Sequence, residues 1–195
     1  MSKAQLVRLL QNAYSGERAA AFAYSGHAKA VTLEIESAEI KKIELEELDH
    51  RSRLLQMLIE LDAKPRPSRE LIFALIGKTI SFFCWMGGIL NLLNIGWYFS
   101  MYGAGKFESG NIVEYEIAAK YAWSLGYQQY VSSLLHMAEV EWDHEYYFRN
   151  NCLKSGWSRI IKTWPPPPAR ELIQKNFLEY CSSRPQLASS KITAL

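Results

Sequence analysis

The chain has 195 residues, 49% of them hydrophobic and 22% charged, and carries a formal net charge of +2. That length makes one domain with a substantial core, or one domain with a tail, and the near-balanced charge gives no reason to expect nucleic acid as a partner. Cys84, Cys152 and Cys181 lack C-x-x-C spacing, which suits a reducing cytoplasm and excludes a zinc ribbon or rubredoxin-type centre within the chain. The charged, amphipathic Met1-Ser-Lys-Ala-Gln-Leu-Val-Arg does not read as a secretory signal.

The first helix is expected from about residue 3 to about 31. Leu10, Ala13, Tyr14, Ala20, Ala21, Tyr24 and Ala28 form an apolar stripe, and Glu17 sits in its middle. Ser37, with Glu39 to Glu47 behind it, predicts the start of a second helix that runs to about Ala63. Its apolar face also carries Glu47 and His50, and Pro65 and Pro67 end it. Residues 68–107 are then expected as a long apolar helical crossover, with Thr79 to Gly105 free of formal charge over 27 residues. Its Trp85, Trp97, Tyr98 and Tyr102 are of the types that settle at a membrane interface, while Gly87-Gly88, Asn91 and Asn94 interrupt it. A membrane surface, a membrane span and an ordinary core or oligomer contact are the three readings of this stretch.

A third helix is predicted from Ser109 to about Ser124, with Ile117, Ala118, Tyr121 and Leu125 along one side and Glu114 beside them. After Leu125-Gly126 a fourth helix runs from about Tyr127 to about Leu153 and carries Glu141 and His144. Trp164-Pro165-Pro-Pro-Pro168 is a stiff spacer, Ala169 to about Cys181 a short amphipathic helix, and residues 182–195 a frayed tail. The expected organisation is therefore an all-α bundle over 1–155 and a proline-rich spacer, short helix and tail over 156–195.

Glu47 with His50, and Glu141 with His144, each stand three apart on one helical face. Carboxylate-bridged di-iron and di-manganese bundles take such a pair from each of two helices and a lone Glu from each of the other two. Glu17 and Glu114 supply the lone acids, and four carboxylates balance two divalent cations. The spacing repeats as well: Glu17 precedes Tyr24, and Glu114 precedes Tyr121, by seven residues, so the chain reads as one hairpin made twice.

Ser15-Gly-Glu17-Arg-Ala-Ala-Ala-Phe-Ala-Tyr24-Ser-Gly-His27, Glu47-Leu-Asp-His50, Glu114-Tyr-Glu-Ile-Ala-Ala-Lys-Tyr121 and Glu141-Trp-Asp-His144 resemble the four helix motifs of the demethoxyubiquinone hydroxylases. These are ferritin-like di-iron monooxygenases of ubiquinone biosynthesis that attach to membranes. The resemblance covers about residues 5–155. It implies a ferritin-like four-helix bundle in which Glu17 and His50 hold one iron, Glu114 and His144 the other, and Glu47 and Glu141 bridge them. It implies a quinone-like substrate, dioxygen and an external electron donor, with the protein in the cytoplasm at the inner face of a membrane. Manganese would suit the same oxygen-rich ligands.

Glu116 competes with Glu114, but its face carries Lys120 and Ser109, so Glu114 is preferred. Tyr24 and Tyr121 are candidates for hydrogen-bonding or proton relay beside the metals, or plain bundle filling. Asp49 and Asp143 are placed either to brace an imidazole on a neighbouring helix or at the surface. Glu44 and Glu145 are read as outer or surface groups, and His27 and His136 as core or surface histidines rather than ligands. The alternative function is an iron-oxidising or peroxide-scavenging protein of ferritin or rubrerythrin type, as a large homo-oligomer.

Overall fold

The computed structural model describes residues 2–89 and 94–184, and these are all-helical. Six α-helices follow in order: α1 Lys3–Ala30, α2 Glu34–Glu60, α3 Pro67–Ile89, α4 Ile95–Leu125, α5 Gln128–Lys154 and α6 Glu171–Ser182, with a 3₁₀ turn at Gly156–Arg159 before the proline tract. Of the expected tail 182–195, Ser182 ends α6, and residues 185–195 lie outside the described residues, as does the interruption at Asn91.

Local chemistry sets most of the ends. Ser2 and Gln5 form a reciprocal capping box that starts α1. α2 begins at Glu34, three residues before the expected Ser37 cap, because Glu34 and Glu36 favour the positive N-terminal end of the helix. Ser37 lies inside it and donates instead to the Ala28 carbonyl at 2.8 Å. Pro67 occupies the first position of α3, where its missing N–H costs nothing. Gly126 ends α4 with φ 87°, a left-handed conformation that glycine takes without strain.

The main departure from expectation is α4, one helix of 31 residues that passes through Gly103, Gly105 and Gly110. The expected boundary near Ser109 does not exist. Each glycine weakens the helix by about 1 kcal/mol against alanine, but packing overrides that at Gly105: a Cβ there would lie 2.5 Å from the Trp164 ring and 2.8 Å from Phe148. The uncharged stretch 79–105 is correspondingly split between the end of α3 and the start of α4.

Two apolar clusters lie at different heights. One gathers Leu6 and Leu10 of α1, Leu54 and Leu58 of α2, Ile112 and Tyr115 of α4, and Leu134 and Ala138 of α5; Ile173 and Phe177 of α6 close it. The other gathers Tyr24 and Ala28, Ile40 and Ile43, Tyr98 and Met101, and Phe148 and Cys152 of the same four helices. Read along the chain, α1 and α5 run from the first cluster to the second, and α2 and α4 run back. Each of the four crosses a layer between the clusters, and there the carboxylates and imidazoles sit.

α3 lies outside this group, mated to α1. A Cβ at Gly77 would come within 2.5 Å of the Ala19 carbonyl oxygen, and one at Gly88 within 2.6 Å of that of Ala30. The pairing of 19 with 77 and 30 with 88 makes the two helices parallel, at a separation only small residues allow. The opposite face of α3 is bare: Leu71, Ile72, Leu75, Phe82, Phe83 and Ile89 are all more than half exposed. By length and composition α3 is apolar enough to cross a membrane, with mean hydropathy 1.6 over its richest window.

Candidate metal centre

Glu17 enters the middle layer from α1, Glu47 and His50 from α2, Glu108 from α4, and Glu141 and His144 from α5, and each is at most 3% exposed. Their ligand atoms fall into two groups, Glu17, Glu47, His50 and Glu141, and Glu47, Glu108, Glu141 and His144; within each, all lie within 4.8 Å of one another. Glu47 and Glu141 belong to both. His50 Nδ1 stands 3.0 Å from Glu141 Oε1, and His144 Nδ1 stands 3.1 Å from Glu47 Oε1 and 3.8 Å from Glu141 Oε2. The two imidazole rings are 6.3 Å apart.

Five of the six sequence-predicted ligands are thus brought together, and Glu114 is not. It lies one and a half turns beyond the layer, level with the first apolar cluster, half-buried at the edge of a small pocket with Arg69. Glu108 takes its place. The tyrosine moves with it: Tyr115, seven residues after Glu108, donates to Glu17, while Tyr24, seven after Glu17, donates to Glu108. The two hydroxyls therefore cross over, each supporting the lone acid of the other helix. Tyr121 packs instead against the first apolar cluster.

Around these residues the structure supplies partners that motif spacing does not show. His144 turns its Nε2 outward to Glu46 Oε2 at 2.8 Å, and this leaves Nδ1 facing the centre. A carboxylate behind a metal-binding imidazole fixes its tautomer and orientation. Asn111 donates to Glu108 Oε2 at 3.0 Å and to Glu141 Oε2 at 3.4 Å. Asp49 and Asp143 do not brace an imidazole: Asp49 pairs with Arg53 at 2.6 Å and Asp143 with Arg170 at 3.0 Å, both at the surface. Glu145 is fully buried but turned away from the centre, to the Trp164 indole at 2.8 Å and Arg149 at 3.0 Å. His136 is exposed.

The electrostatics are those of a site short of positive charge. Burial, reinforced by Glu47, pushes the Glu17 carboxyl well above its usual range. Burial and the neighbouring Glu141 do the same to Glu108. Burial also works against the Glu141 carboxylate, but the neighbouring Glu108, His144 and His50 outweigh it and hold that group low. His50 and His144 are disfavoured as cations by burial, yet their carboxylate partners raise both. Even so, Glu17 Oε2, both oxygens of Glu47 and His144 Nδ1 are buried without a hydrogen-bond partner. Several unsatisfied ligand atoms converging on one place fit divalent cations, which would displace the protons and satisfy the oxygens together.

Two cavities flank the layer. The larger, about 430 Å³, lies among α1, α3 and α4 behind Tyr24, with walls of Ala19, Ala23, Ile80, Phe83, Phe99 and Phe107. The smaller, about 240 Å³, reaches Glu17 and Tyr115 and is edged by Asn12, Arg69, Asn111 and Glu114. Phe73 and Phe107 line both.

No family model, curated protein or solved structure matches this chain. Of the four sequence motifs, the third, Glu114 to Tyr121, does not reach the centre; α4 supplies Glu108 from outside it.

Proposed function

We propose that the protein is a ferritin-like four-helix bundle, formed by α1, α2, α4 and α5, that holds two iron ions and oxidises an apolar, quinone-like substrate with dioxygen. The observation that carries this is the pair of overlapping ligand groups sharing Glu47 and Glu141. One carboxylate-rich set with one imidazole per metal favours iron or manganese over a closed zinc site. Iron held by Glu17, Glu47, His50, Glu108, Glu141 and His144 would supply the redox chemistry for dioxygen, with two electrons from an external donor and two protons from solvent for each oxygen atom inserted and each water released.

The chain's own part is positional. Glu17 and Glu108 give up their protons as the metals enter. Tyr115 and Tyr24 hold these two carboxylates, and Glu46 holds His144 with Nδ1 inward. The apolar walls of the cavity behind Tyr24 offer water few hydrogen-bond partners on the side from which a hydrocarbon would approach. Ile80, Phe83, Phe99 and Phe107 line that cavity and are also 43–61% exposed, so its mouth opens through the bare apolar surface.

That surface supports attachment to a membrane by lying in its interface. A span is disfavoured, because α3 is mated along α1 and would draw Arg18, Lys29 and the buried acids into hydrocarbon. The proposed location is the cytoplasmic face of such a membrane.

Ferrous titration under nitrogen, followed by dioxygen, reductant and a demethoxy-quinone, tests the reading. The expected result is two irons per chain and a hydroxylated product. Two irons without turnover across a panel of quinones removes the monooxygenase. Hundreds of irons in a large closed particle would instead establish the ferritin-type alternative, and light scattering with metal counting separates the two.

A further inference from the structure

Four side chains among the walls of the larger cavity can hydrogen-bond: Tyr24, His27, Cys84 and Ser100. Tyr24 donates to Glu108, and Ser100 and Cys84 interact with each other. His27 is different. It is 2% exposed, its ring lies over Phe148 at 6.0 Å and 19°, and its Nε2 is buried without a partner. A buried polar atom left unpaired is costly, and phenylalanine or leucine would pack on Phe148 without that cost. Burial lowers the His27 pKa to about 4, so the ring is neutral near pH 7, with one N–H to give and one lone pair to receive.

We infer that His27 is the polar anchor of the cavity's ligand, an apolar molecule with one carbonyl or hydroxyl oxygen held on the imidazole and its hydrocarbon against Ile80, Phe83 and Phe99. This rests on the cavity being the substrate site. Because His27 follows Tyr24 by three residues, the oxygen is held about 4.5 Å further along α1 from the metal centre than Tyr24. Carbons that extend from it past Tyr24 toward Ala20 and Phe107 are those presented for oxidation.

The test compares two ligands of nearly one shape, 1-tetralone and tetralin, which differ by a carbonyl. Their dissociation constants, corrected for transfer from water, are measured on the full chain with and without ferrous iron. In the native protein the ketone should be preferred. His27→Leu should reduce that preference about five-fold, the worth of one neutral hydrogen bond, and His27→Gln, which restores a donor and acceptor, should recover most of it. An equal preference in the native protein and His27→Leu overturns the anchor, as does failure of both probes to bind. Should His27→Leu not fold, the ¹⁵N signals of the native ring decide: Nε2 shifting with 1-tetralone but not with tetralin supports the anchor, and no shift overturns it. None of these readouts needs bound iron, so loss of the metal reading and loss of the anchor remain distinguishable.

Discussion

The α1–α2 half and the α4–α5 half offer the centre the same groups: a lone acid, a tyrosine seven residues on, and a Glu-x-x-His pair. Their surroundings differ. Both cavities are walled by α1, α3 and α4, but the large one behind Tyr24 is apolar, and the small one beside Tyr115 is edged by Asn12, Arg69 and Glu114. α3 packs on α1 and leaves α5 to the Trp164 spacer and α6. A ligand set that is nearly symmetric therefore sits between two unlike doorways, one fit for hydrocarbon and one for polar traffic.

The largest expected effect tests the symmetry of the ligands. Glu108→Ala should cut iron binding from two per chain to about one, whereas Glu114→Ala should leave two; iron counting after desalting decides, and the reverse result restores the Glu114 register. Next comes the asymmetry of the doorways. Ala23→Phe, which fills the apolar side, should lower turnover of an apolar substrate at least 100-fold with iron content unchanged, while Glu114→Gln should change turnover by less than about threefold.

A smaller effect lies in acid. His27 binds a proton at about pH 4 folded and near 6.5 unfolded, so the unfolded chain holds more protons in between and stability falls as pH drops through that window. The loss is about 3 kcal/mol. Urea unfolding of metal-free protein at pH 7 and pH 4 should show a correspondingly shallower acid loss in His27→Gln.

Glu46→Gln should weaken metal affinity about tenfold, the lower end for a group that supports a ligand. Of the two histidines it contacts His144 alone, so competition with a chelator should show one weakened site. The smallest effect concerns the seat of α3. Glu70 joins Arg51 at 2.5 Å and Arg18 at 3.1 Å and accepts from Ser15 at 2.8 Å. Burial works against its charge, but the arginines and Ser15 hold its pKa low. Glu70→Gln should therefore cost about 1 kcal/mol at pH 7, with the difference fading as pH falls through the folded carboxyl's range.

Both Glu-x-x-His pairs and Glu17 were legible because each sits in an unbroken helical pattern with apolar neighbours three and four away. Glu108 was hidden because it falls at the expected boundary between the crossover ending at 107 and the next helix, a boundary that Gly103, Gly105 and Gly110 suggest when only propensity is weighed. The stripe itself was present: Tyr98, Met101, Gly105, Glu108, Ile112, Tyr115, Ala119 and Ala122 alternate by three and four and are all buried. Two Glu-to-Tyr spacings of seven, 108 to 115 and 114 to 121, compete on α4, and only the level of the layer chooses between them. Glu46 was not legible at all. Its partner His144 is 98 residues away, and nothing in local spacing reports a contact between α2 and α5.

The seam between α1 and α3 has a mechanical side. Ala19, where Gly77 presses backbone to backbone, is two residues from Glu17. At Ala19–Gly77 and Ala30–Gly88 no side chain separates the two backbones, so a displacement of α3 there is passed directly to the rod that carries Glu17. Whatever presses on that bare outer face has a short, stiff lever on the buried acids inside.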